Sequence, residues 1–185
     1  MVRCKHLGTV YLDSGSSLTL ESGRVQGMGK SDGSGVINTS GRGDKVTLNI
    51  KGDELIIAGT ESPKQYASGY CAFMKNADVI MSGGVLRADG DKDKIQGDLA
   101  AYARGIRGMS GTMIQVAGGE FQNFKGPAIV TYGATATATV TGMTLESDWC
   151  TVEVAGGSTV TLSNCTVKQT DAVRPQGLTE NEEAA

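Results

Sequence analysis

Apolar residues along this chain come in pairs two apart, and the pairs themselves recur. Between residues 129 and 167 the pattern is written twice. Ile129-Val130-Thr131-Tyr132-Gly133 is followed by Ala138-Thr139-Val140-Thr141-Gly142 and then Leu145; Val152-Glu153-Val154-Ala155-Gly156 is followed by Val160-Thr161-Leu162-Ser163-Asn164 and then Val167. Equivalent positions lie 22 or 23 residues apart. Alternation with period two predicts strands that turn one face inward. Repetition at this interval predicts a solenoid, because a single unit cannot bury its apolar side and must stack on its neighbours.

The same frame fits the earlier sequence. First and second strands fall at 10–12 and 18–20, 36–38 and 46–48, 71–73 and 79–81, and 106–108 and 114–116, with a third strand at 55–57. Second strands begin at residues 18, 46, 79, 114, 138 and 160, giving six coils of 22–35 residues. Leu18/Leu20, Val79/Met81, Ile114/Val116, Ala138/Val140 and Val160/Leu162 are the expected inward pairs; Thr19, Ile80, Gln115, Thr139 and Thr161 face out. Gly23, Gly84, Gly119, Gly142 and Asn164 share one place in the unit, where a bend between stacked strands calls for positive φ. A sandwich would alternate too, but it would not keep its corners at one offset. The reading is therefore all-β: an N-terminal segment at 1–9, a parallel β-solenoid at 10–169 and a polar tail at 170–185.

The inner spacing stays near eight residues, so extra length gathers after the third strand, at 26–35, 58–70 and 87–105. Insertions at one recurring position emerge along one edge, often the binding edge of a solenoid. Tyr66, Tyr70, Tyr102 and Trp149 lie in or beside it, with rings suited to sugar or protein contact, together with Asp98, Arg104 and Arg107. Packing of these rings onto the solenoid is the competing reading. Ile95, Leu99, Ala103 and Ile106 have helical spacing, so a short helix or a loop fits the longest insertion.

Composition supports strands rather than disorder, with 27 glycines and only three prolines in 185 residues. The net charge of −3 gives no basic footprint for nucleic acid. No apolar run approaches the roughly 20 residues that span a bilayer, and Met1-Val2-Arg3-Cys4-Lys5-His6 lacks a signal-peptide core. His6 is the one histidine, and Cys4, Cys71, Cys150 and Cys165 form no CxxC pair. That pattern argues against zinc and against histidine-dependent nucleophiles, and no cofactor is expected. The cysteines read as small buried hydrophobes, with a Cys150–Cys165 bridge left open. Asp89, Asp91 and Asp93 alternate as calcium-loop ligands do. The sixth-position glycine and twelfth-position glutamate are missing, and Lys92 and Lys94 interleave, so a solvated loop is the favoured reading.

Units such as Met81-Ser82-Gly83-Gly84-Val85 and Val154-Ala155-Gly156-Gly157, repeated with elongation at one corner, resemble the right-handed parallel β-helix superfamily. That group includes pectate lyases, phage tailspikes and the passenger domains of bacterial surface adhesins; the likeness covers about residues 10–167 and is one of pattern. It implies a right-handed β-helix with a role in carbohydrate or surface binding, virion or cell-surface structure, or polysaccharide cleavage. The polysaccharide-cleaving members carry acids on neighbouring strands. Here the outward column expected from Tyr11, Ala72, Arg107, Val130 and Glu153 stacks no two acids.

The expected function is a non-enzymatic structural and binding module of an extracellular, cell-surface or virion protein. It would meet a glycan or another protein through its insertion edge, as a homotrimer or within a longer chain. A polysaccharide-cleaving lyase or glycosidase-like enzyme is the alternative. An ice-binding face built on Thr135, Thr137, Thr139, Thr141, Thr159 and Thr161 is a remote one. Arg42-Gly43-Asp44 is an adhesion-type tripeptide and Asn38-Thr39-Ser40 and Asn164-Cys165-Thr166 are glycosylation sequons; a glycine turn and a corner asparagine account for these residues structurally.

Overall fold

The computed structural model describes residues 9–28, 35–60, 69–89, 104–148 and 150–170. In chain order the strands are β1 (Val10–Leu12), β2 (Ser17–Leu20), β3 (Gly23–Met28), β4 (Gly35–Thr39), β5 (Val46–Ile50), β6 (Leu55–Thr60), β7 (Tyr70–Met74) and β8 (Ala77–Asp89). They continue as β9 (Arg104–Gly108), β10 (Met113–Gln122), β11 (Ile129–Tyr132), β12 (Thr137–Thr141), β13 (Thr144–Ser147), β14 (Val152–Ala155), β15 (Thr159–Ser163) and β16 (Thr166–Gln169). No helix occurs among the described residues.

Strands two or three apart in the chain lie side by side. β1-β4-β7-β9-β11-β14 form one parallel sheet, and β2-β5-β8-β10-β12-β15 run in the same order in a second. β3 pairs with β6 and β6 with the second half of β8, while among the described residues β13 pairs with β16 alone. Parallel ladders stacked in chain order are consistent with a β-solenoid.

Register places like residues above one another. Leu18, Leu48, Val79, Ile114, Ala138 and Val160 make one inward column, and Leu20, Ile50, Met81, Val116, Val140 and Leu162 the next. From the first sheet, Val10, Ile37, Ala72, Ile106, Ile129 and Val152 face them. Apart from Leu162, these columns form one continuous core, fully buried in the middle of the stack. Removing apolar area at about 25 cal/mol per Å² is its main stabilising term. The core thins toward the last strands, where Val154 is 47% exposed, Leu162 41% and Val167 46%. Leu162 thus keeps its inward parity but has no layer beyond it among the described residues.

The recurring corner has the expected conformation. Gly142 and Asn164 sit at φ 68° and 54°, one unit apart, in the left-handed region that glycine takes freely and asparagine tolerates.

Two expectations are corrected. The helical spacing at 95–106 does not make a helix through its last residues, because residues 104–108 are strand β9 and Ile106 is a fully buried core residue of it. The insertions are also narrower than 26–35, 58–70 and 87–105: β3 runs to Met28, β6 to Thr60 and β8 to Asp89, and β4, β7 and β9 begin at Gly35, Tyr70 and Arg104.

Candidate functional site

The insertion edge is where β7 and β9 begin. Tyr70 pairs in register with Arg104, and Phe73 with Arg107. Continued through Val130 and Glu153, the outward column reads Tyr11, Asn38, Phe73, Arg107, Val130, Glu153. Ala72 therefore does not belong to it; that residue points into the core and is fully buried. The reason is a corner one residue shorter. Three residues separate Met74 from Asp78, but four separate their ladder partners Gly108 and Met113. A slip of one residue flips every side chain to the opposite face.

Tyr70, Phe73 and Val130 pack together as a small cluster on this outer face, with Met109 against them. The Tyr70 hydroxyl accepts hydrogen bonds from Arg104 Nη1 at 2.8 Å and Arg107 Nη1 at 3.1 Å. Both guanidinium groups stand 5.5 Å from the centre of the Tyr70 ring, and Arg107 also lies 5.6 Å from Phe73 and 6.0 Å from Tyr132. Contacts at this range are attractive cation–π interactions. One buried phenol and its neighbouring rings therefore hold two half-buried arginines side by side.

Beside them are Glu153 and Cys150. Burial raises the Cys150 thiol above its ordinary pKa and the Glu153 charge raises it further, while Arg104 pulls the other way. The neutral thiol is the favoured form in this setting. A pair of guanidinium forks suits carboxylate or sulfate groups, and a tyrosine ring offers an apolar face with a polar tip.

Of the residues singled out from sequence, Tyr70, Arg104 and Arg107 come together. Tyr70 is only 1% exposed, so it supports the arginines and cannot stack on a ligand. Among the described residues the exposed ring is Tyr132, at 45%. Its place two residues beyond Val130, in the outward set, is the sequence signal that marks it. Tyr66, Asp98, Tyr102, Trp149, Asp91 and Asp93 lie outside the described residues. Asp89 ends β8 paired with Arg24 and Arg87, cations that compete with any metal. No cluster of metal-ligating side chains occurs among the described residues.

The other sequence features resolve locally. Cys71, Cys150 and Cys165 are free thiols, so Cys150 and Cys165 are not bridged. Cys71 is fully buried, and burial pushes its thiol up to about 12. Asn38 is buried, its amide exchanging hydrogen bonds with the Gly35 backbone, which denies that sequon to glycosylation. The Thr columns do align: Thr137 stands over Thr159 and Thr139 over Thr161. They reach Ser17, Thr47 and Thr19 at the far end of the sheet only through Met113, Asp78, Gln115, Ile80 and Asn49.

No family model, curated protein or solved structure matches the chain.

Proposed function

We propose that the chain is a right-handed parallel β-helix of six coils serving as a non-catalytic structural and binding module at a cell or virion surface. Its insertion edge contacts an acidic glycan. The observation that carries this reading is the pair Arg104 and Arg107, held by the buried Tyr70 hydroxyl beside the exposed Tyr132 ring. In this reading the guanidinium groups meet a carboxylate or sulfate, and Tyr132 lies against the apolar face of a sugar. The stacked ladders supply a rigid frame, so little ordering entropy remains to be lost on binding. The surface location rests on the resemblance of the repeats, and the module assembles as a trimer or is carried in a longer chain.

The test is a titration of the purified chain against acidic polysaccharides and their neutral counterparts. Acidic ligands bind, and Arg107→Ala and Tyr132→Ala each weaken binding about tenfold, or about 1.4 kcal/mol. Deleting residues 91–102 keeps β8 and β9 and removes binding as well. Equal binding of neutral polysaccharides, or indifference to both substitutions, overturns the assignment. New reducing or unsaturated ends after incubation overturn its non-catalytic part.

A further inference from the structure

The third series of strands is broken at one point. β3, β6 and the second halves of β8 and β10 pair in succession, with Glu120, Phe121 and Gln122 opposite Val85, Leu86 and Arg87. β13 follows one unit later yet pairs only with β16. Between the two ladders lies a cleft of about 610 Å³, lined by residues of β10 and β13, by Phe124 and by Thr170. That volume falls within the range of ligand sites.

Two strand edges wall the cleft. β10 pairs with β12 only through residues 113–116, so among the described residues no ladder covers its later half on the side away from β8. On β13, the Met143 and Ser147 carbonyls accept from the Thr166 and Thr170 N–H groups, each at 2.9 Å. Along a parallel strand successive residues turn their backbone groups to alternate sides. The N–H and C=O of Thr144 and Glu146 therefore point the other way, toward the cleft. Asp148, next in that alternation, agrees: its N–H donates to the Phe124 carbonyl at 3.1 Å and closes the end of the cleft. A strand edge without a ladder partner is a template for another strand.

Charge narrows the choice of occupant. Glu120, Glu146 and Asp148 line the cleft, and among the described residues no lysine or arginine does. The chain's own tail, 171–185, leaves from Thr170 at the cleft wall. It carries Asp171, Glu180, Glu182 and Glu183 against the single Arg174, so like charges oppose its entry.

We propose that this cleft receives an extended, basic segment of a partner protein, added as a strand that pairs with Thr144 and Glu146. Lysine or arginine side chains of the segment meet Glu120 and Glu146. The site is separate from the arginine pair at the insertion edge.

The test uses the full chain and a synthetic decapeptide in which lysine alternates with valine and threonine. Its controls are a copy N-methylated at alternate residues, a copy with glutamate for lysine, and a peptide of residues 171–185. The basic probe binds by fluorescence anisotropy and slows amide exchange at Thr144 and Glu146, while the amides of β16 keep their rates. N-methylation, and separately the double variant Glu120→Gln/Glu146→Gln, each weaken binding about tenfold, or about 1.4 kcal/mol. Unchanged affinity on methylation, equal binding of the acidic copy, or preference for the 171–185 peptide or for an oligosaccharide overturns the proposal.

Discussion

Two glycines at the recurring corner separate a conformational requirement from a steric one. Gly142 has φ 68°, and a Cβ added there meets nothing within 4 Å. Gly52 has φ 82°, but its Cβ would lie 2.0 Å from the Glu21 carbonyl oxygen of the preceding unit. Gly142→Ala therefore carries only the left-handed backbone penalty, about 1–2 kcal/mol. Gly142→Asn costs less, as Asn164 in the equivalent place indicates. Gly52→Ala carries the same penalty and must also push a backbone oxygen aside. Next to that oxygen, the Lys51 N–H donates to Leu20 O at 2.8 Å, so the strand cannot move alone. Overpacking of this kind adds about 1–3 kcal/mol, for a total of about 2–5 kcal/mol. Urea midpoints followed by far-ultraviolet circular dichroism give both values. If Gly52→Ala loses no more stability than Gly142→Ala, the stacked backbone contact is not what reserves position 52 for glycine.

Ile114→Ala, in the middle of an inward column, loses about 2–5 kcal/mol, whereas Gln115→Ala, facing out beside it, stays within about 0.5 kcal/mol; paired denaturation curves check this. Thiol titration under native conditions leaves Cys71 unreacted until urea is added, because a buried neutral thiol is a poor nucleophile. The same thiol links stability to pH. Its folded pKa is raised from 9.0 to about 12, so its contribution is complete below pH 9 and is lost as pH rises through 12. The slope is at most about 1.4 kcal/mol per pH unit. Cys71→Ala flattens the alkaline limb of a stability–pH curve relative to the parent chain; an identical limb contradicts the assignment.

The stacked parallel ladders were readable because the second strands carry the information twice, in alternation and in corner spacing. Val79, Ile114 and Val140 could be placed inward from sequence alone. The first strands were less legible where both faces are apolar. In Tyr70-Cys71-Ala72-Phe73-Met74 every residue is buried, so alternation gives no parity, and the short corner before β8 shifted the count from Phe73 to Ala72. The same ambiguity hid the role of Tyr70, which looks like a surface ring in sequence and is a buried support in the fold. Arg104 and Arg107 were visible as charged residues near an insertion, but only the parallel register shows that one phenol holds both. The gap between β10 and β13 left no trace in the repeat, since Gly119 and Gly142 mark both corners alike and only backbone pairing distinguishes them.

The thinning of the core toward β14, β15 and β16 has a mechanical meaning. A stack held together layer by layer has no single latch. Pulled from its C-terminal side, it gives way first at the layers where Leu162, Val154 and Val167 are exposed. Each layer that leaves hands the same exposed edge to the next. The chain should then yield as a sequence of small steps rather than in one rupture, with a tether there feeling a soft end and a tether at the middle strands a stiff one.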